Sequence, residues 1–138
     1  MGNNFNKDLL IKISKKIKKD IMTNINVHYN DKESFKIYNK LNLYNENDNN
    51  EIIFLSSIIN IVKKNNSKYS DEEIYITVVY LYYALVLIEP SQNYLLLNDI
   101  KYITNGKSYD KIVSLFFEIV SSDKQYCSKI RKIFFNFI

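Results

Sequence analysis

Apolar residues return every third or fourth position along almost the whole chain, the period of one face of an α-helix. Leu10, Ile13, Ile17, Ile21 and Ile25 fall on one side of residues 7–27, and lysines occupy the rest. That spacing predicts an amphipathic helix with a basic outer side. A second helix is expected over 33–44, where Phe35, Tyr38 and Leu41 form one stripe, and the polar run 45–50 after it reads as a loop. A third is expected over 51–64, with Ile52, Leu55, Ile59 and Val62 inward and Phe54, Ile58 and Ile61 also apolar. Its last turn holds Lys63 and Lys64, where positive charge suits the helix dipole.

The pattern changes at Ser70. In Ser70-Asp71-Glu72-Glu73 the serine can cap the first free amides, the glutamate three residues on can bond back, and the acidic turn suits the dipole. From Ile74 to Ile88 every face is apolar, so this helix needs neighbours on all sides. Its isoleucines, valines and tyrosines also favour strands. The capping box, the length and the absence of turn residues decide for helix, which Pro90, the only proline, ends. A shorter helix is expected over 93–104 with Leu96, Ile100 and Ile103 on one side, closed by Asn105-Gly106 as a left-handed stop. Ser108 starts the next, to Val120, with Ile112, Leu115, Phe116 and Ile119 inward. Ser121-Ser122-Asp123 breaks it and can cap a last helix on which Tyr126, Ile130, Phe134 and Phe137 share a face. The expected fold is all-α: a single domain over 1–138, a bundle of about seven helices around the central 74–88 helix, with 1–6 flexible.

Composition supports this picture. At 138 residues with 46% hydrophobic side chains, the chain can bury a core without disulfides or a metal. Two glycines and one proline are too few for the turns of an all-β fold. The 74–88 run is too short for a bilayer, which takes roughly 18–20 apolar residues. One cysteine, Cys127, and no secretory leader point to a reducing compartment. The abundant asparagine, isoleucine, lysine and tyrosine have A/T-rich codons, so the asparagine clusters carry little functional weight.

Charge is informative once located. The whole excess of +4 sits in residues 1–20, where six lysines face two aspartates, and acids and bases balance over the rest. Lys12, Lys15, Lys16, Lys18 and Lys19 form a candidate electrostatic surface that could touch an anionic membrane. With a single arginine and no nucleic-acid motif, a nucleic-acid partner is disfavoured. The first six residues are similar to a myristoylation signal, but Asn6 stands where serine or threonine is wanted, so a plain chain end fits better.

The search for chemistry yields no catalytic set. The single histidine, His28, and Cys127 are far apart, so no metal cluster, cofactor site or glycine-rich phosphate loop can be assembled. Asp71, Glu72 and Glu73 read as dipole complements. Tyrosine is the oddity, with 12 copies. Tyr75, Tyr82 and Tyr83 on the central helix, with Tyr94 beyond it, are candidate protein-binding residues, because tyrosine suits groove edges with one end wet. Core packing is the other reading of the three on the central helix.

Several segments together suggest a family. They are the apolar helix from Glu73 to Ile88, the helix beginning Tyr94-Leu95-Leu96-Leu97, and Asp110-Lys111-Ile112-Val113-Ser114-Leu115-Phe116 after a short break. Upstream, Phe35-Lys36-Ile37-Tyr38-Asn39-Lys40-Leu41 and Ile58-Ile59-Asn60-Ile61-Val62 fit its second and third helices. Over residues 33–120 the chain resembles the poxvirus Bcl-2-like family, small intracellular inhibitors of innate immune signalling or apoptosis. The resemblance implies a Bcl-2-like bundle in the host cytoplasm that catalyses nothing. It would block NF-κB or interferon-regulatory activation by occupying a host signalling protein, with pairing to a second copy as an option. An apoptosis inhibitor holding a death-motif helix in a groove is the alternative, and a basic accessory protein on membrane or nucleic acid a further one. The sequence departs from the family in lacking the glycine- and tryptophan-containing groove motif of cell-death regulators. It also has little room for a short helix between Lys64 and Ser70, and adds a basic, aromatic helix after Ser122.

Overall fold

Five α-helices, and no strand, are found among the residues that a computed structural model describes, 6–28, 49–87 and 109–137. They are α1 (Lys7–His28), α2 (Asn49–Asn65), α3 (Asp71–Leu87), α4 (Tyr109–Ser121) and α5 (Gln125–Phe137). The helices expected over 33–44 and 93–104, Pro90 and the Asn105-Gly106 stop lie outside the described residues. Asn49 and Asn50, expected in a loop, already belong to the first turn of α2.

The predicted capping box forms at the head of α3. The Ser70 amide donates to Glu73 Oε1 at 2.8 Å, and the Glu73 amide donates to Ser70 Oγ at 3.2 Å. Two amides that the helix cannot satisfy internally are thereby paired, which fixes where α3 begins. Every residue from Glu73 to Tyr83 is buried, on all sides of the helix. Thr77, the one polar interruption, donates its hydroxyl to the Glu73 carbonyl at 2.7 Å and so enters the core without an unmet bond.

Among the described residues, α1, α2 and α4 pack directly on α3. Helix α5 lies against α4 and α2. Each outer helix contributes the stripe read from its period. Leu10, Ile13 and Ile17 of α1 are buried, as are Ile52, Leu55, Ile59 and Val62 of α2, Ile112, Leu115, Phe116 and Ile119 of α4, and Tyr126, Ile130 and Phe134 of α5. Burying one such side chain contributes about 1.5–3 kcal/mol, so these stripes and α3 are the principal source of stability.

Polar contacts set the positions of the helices around α3. Asn6, expected in a flexible lead, is instead the amino-terminal cap of α1: its Oδ1 accepts from the Leu9 amide at 3.0 Å. The Asn6 amide donates to the Tyr75 hydroxyl at 2.9 Å, which ties the start of α1 to α3. The Tyr82 hydroxyl donates to Glu51 Oε2 at 3.3 Å, and both residues are buried, so α2 is held in register against α3. Phe54 continues that contact, its ring 5.8 Å from Tyr82 and 5.3 Å from Phe134 of α5. Lys63 and Asp71 pair at 3.1 Å across the α2–α3 turn, a half-exposed ion pair contributing less than about 1 kcal/mol.

The head of α5 differs from expectation. Ser122 Oγ accepts from the Lys124 amide at 3.1 Å, while the first helical bond runs from the Ser128 amide to the Lys124 carbonyl at 3.1 Å. The serine therefore tightens the turn before α5, and Lys124 is the boundary residue.

Replacing Val78 or Leu81 by Asp, each at the buried centre of α3, should lower stability by several kcal/mol, because an unpaired charge enters the core. Ser70→Ala should cost only about 1 kcal/mol, the ordinary loss of a cap. Chemical denaturation of the three variants checks the order, and an aspartate variant as stable as the parent would contradict the central position of α3.

Candidate functional site

A connected polar cluster among the described residues joins the end of α2, the end of α4 and the start of α5. Asn66, just past α2, is buried; its Nδ2 donates to Glu118 Oε2 at 3.1 Å and to the Tyr126 hydroxyl at 3.4 Å. The Tyr126 hydroxyl in turn donates to Glu118 Oε2. Lys124 Nζ reaches the other carboxylate oxygen of Glu118 at 3.3 Å. Asn66 Oδ1 also accepts from the Lys68 amide at 3.2 Å, so the amide side chain cannot turn over without breaking several bonds. Arg131 completes the junction by donating to the Ile119 carbonyl at 2.7 Å, one of the carbonyls freed at the end of α4.

The electrostatics follow from this geometry. Burial alone would raise the Glu118 carboxyl, but the Tyr126 hydroxyl, the Lys124 ammonium and the Asn66 amide outweigh it and hold the acid below its ordinary value. Burial, reinforced by the neighbouring carboxylate, pushes the Tyr126 phenol well above its ordinary range, with Asn66 opposing. A general acid or base works best with its pKa near the operating pH. Both groups move away from neutrality, so the cluster behaves as a clamp holding three chain segments together and is badly tuned for moving protons.

The candidate residues named from sequence are divided by the structure. Of the two readings left open for the central-helix tyrosines, core packing describes where they are: Tyr75 and Tyr82 are fully buried and Tyr83 nearly so, with Tyr82 and Tyr83 rings 5.5 Å apart. They are not exposed contacts for a partner, because residues 73–83 of α3 are buried on every side of the helix. Tyr94 lies outside the described residues. On α1, Lys12, Lys15, Lys16 and Lys19 are exposed and Lys18 is half-buried, so the basic face lies outward while Leu10, Ile13 and Ile17 point in. Cys127 is buried and unoxidised, a core thiol.

Sequence reasoning missed Asn66 and Glu118: Asn66 reaches Glu118 and Tyr126 across 52 and 60 positions, and Glu118 meets Tyr126 across the break between two helices. Period reading detects a face, and here placed Tyr126 inward, but it cannot pair residues so distant. Two apolar residues are also left outside: Ile53 of α2 is 63% exposed and Phe117 of α4 is 50% exposed. Phe117 lies between Val113 and Val120 on the same side of α4, both partly exposed, so a short apolar strip borders solvent there.

Among the described residues no group of three histidine, cysteine or carboxylate side chains could hold a metal, and no helix is long and apolar enough to cross a membrane. No family model matches the chain, and comparison with curated proteins and with solved structures returns no match.

Two outcomes are expected. Because Glu118 is depressed in the folded state, its stabilising contribution is present above its unfolded value of about 4.5 and is lost as pH falls through the lower folded value. Tyr126 is raised, so its contribution is complete below about 10 and is lost as pH climbs through the folded value. Glu118→Gln should flatten the acid limb of a stability–pH curve and Tyr126→Phe the alkaline limb, measured by denaturant unfolding at each pH. Separately, changing Lys12, Lys15, Lys16, Lys18 and Lys19 together to Gln should alter stability little, since surface changes usually stay within about 0.5 kcal/mol each. Salt-dependent retention on anionic vesicles should fall in that variant.

Proposed function

We propose that this chain is a non-enzymatic protein-binding module that acts by occupying a surface on another protein. The observation that carries the reading is the packing of α1, α2 and α4 around an α3 that is apolar on every side. A helix so enclosed leaves function to the outer faces of its neighbours. The same arrangement, with the amino-terminal helix laid against the central one, is what the resemblance to the poxvirus Bcl-2-like family calls for. On that resemblance the partner is a host signalling protein, and the consequence is a block of NF-κB or interferon-regulatory activation in the host cytoplasm.

Two surfaces are used for contact in a Bcl-2-like bundle: a groove beside the central helix, and the face of the first helix and the helix corresponding to α4. The second is favoured here. Tyr75, Tyr82 and Tyr83, which had suggested a groove edge, belong to the core, and the death-motif reading loses that support. Phe117 supports the α4 face, since interfaces centre on aromatic side chains with few charges around them. Ser114 and Ser121 flank it with small polar groups on the exposed side.

Titration of the protein into cells carrying an NF-κB reporter tests the proposal. Inhibition should rise with the amount of protein and saturate near equivalence with its target, and Phe117→Asp should abolish it while the variant remains folded. Full inhibition far below one molecule per target, or turnover of a small substrate, would overturn the binding-module reading.

A further inference from the structure

The junction clamped by Asn66, Glu118 and Tyr126 has a second consequence. It holds open a groove of about 630 Å³ between the last turns of α2 and the first turns of α5. Ile61 and Tyr126 line it, partly buried and buried respectively, and Asn60, Lys64, Gln125 and Lys129 line it with exposed side chains. The pattern is an apolar floor under a polar rim. Asn65 also borders the groove but turns its amide back to the Ile61 carbonyl at 2.8 Å.

The charge in the groove has one sign. Among the described residues its lining includes two lysines and no acid. Neither Lys64 nor Lys129 is in an ion pair among the described residues. Glu118, bonded to Tyr126, does not offset them, because Tyr126, Asn66 and Lys124 already hold its carboxylate.

Asn66 meets Tyr126 at one end, and Phe54 meets Phe134 at the other, so α2 and α5 run antiparallel. Lys64 of α2 and Lys129 of α5 therefore stand on opposite walls of one groove, where a segment carrying carboxylates can meet both. Asn60 and Gln125, one on each wall, can bond to its backbone.

We propose that the groove between α2 and α5 binds an acidic segment of a partner protein, its carboxylates meeting Lys64 and Lys129. The inference rests on the protein-binding reading and names the chemistry of one contact; it uses a different face from Phe117.

The test is fluorescence anisotropy with the full chain and a labelled peptide carrying several glutamates among alanines and glycines. The peptide should bind at low salt and weaken as salt rises. Its counterpart with glutamines should bind much less. Lys64→Glu and Lys129→Glu should each weaken binding about three- to tenfold, the scale of losing an exposed ion pair and adding a repulsion. Both sites are exposed, so circular dichroism should show unchanged helix content in these variants. A variant with the five α1 lysines changed to Gln should bind the peptide as the parent does.

Equal binding by the parent and both charge-reversed variants would overturn the proposal, as would preference for the glutamine peptide. Capture of phosphatidylserine vesicles through Lys64 and Lys129 without peptide binding would also overturn it, by assigning the groove to a lipid surface. Reporter inhibition separates the two claims. Inhibition that depends on Phe117 with no peptide binding refutes the groove alone. Peptide binding that depends on Lys64 and Lys129, with no reporter inhibition, refutes the signalling target while the groove stands.

Discussion

A helix that is apolar on every side cannot face water, and the rest of this fold follows from enclosing one. Helix α3 has no polar stripe, so the usual solution of packing one face inward is closed to it. Its neighbours must surround it, and α1, α2 and α4 do so, each contributing an ordinary amphipathic stripe. Two polar ties then choose among ways of enclosing it: the Asn6 amide on the Tyr75 hydroxyl, and the Tyr82 hydroxyl on Glu51. Apolar burial has no direction of its own. A hydrogen bond has one, and each of these can be made only with its outer helix at one height along α3. The tyrosines of α3 thus supply apolar bulk through their rings and register through their hydroxyls.

Local physics made much of this legible before any coordinates. The Ser70–Glu73 capping box is a four-residue device, and it forms as its spacing requires. The inward stripes of α1, α2, α4 and α5 are set by a 3.6-residue period, and their described members are buried. What was hidden is long-range pairing. Asn6 looked like part of a loose end because nothing nearby in sequence announces Tyr75. Asn66 was one asparagine among many in a chain whose composition discounts them, yet it is the hub of the α2–α4–α5 junction. The run Ser121-Ser122-Asp123 was read as able to cap α5 from its residue types, whereas the turn places the Ser122 hydroxyl on the Lys124 amide. Tyr75, Tyr82 and Tyr83 had two readings from sequence, and only burial by neighbouring helices chooses between them.

Enclosing α3 also decides what is left for recognition. Its tyrosines that are described go inward, and among the described residues outward chemistry is found on the lysine face of α1, in the strip around Phe117 on α4, and in the groove between α2 and α5. They differ in kind. The α1 face offers diffuse positive charge, which steers encounters and weakens with salt. The α4 strip offers apolar area around one aromatic ring, the usual anchor of a protein interface. The groove offers two cations on opposite walls over an apolar floor, and its walls are held by a polar clamp whose Glu118 carboxylate stays ionised across the neutral range. A module carrying such separate surfaces can meet a partner through charge and be held by apolar contact.

Native-state hydrogen exchange on the full chain tests the enclosure of α3 most directly. Amides exchange by local opening where packing is sparse and only by global unfolding where it is complete. The amides of residues 74–83 should be the slowest in the protein, with opening free energies equal to that of global unfolding and a matching dependence on denaturant. Faster exchange there than in α1 or α5, through an opening insensitive to denaturant, would show that α3 is not the element on which the others are built.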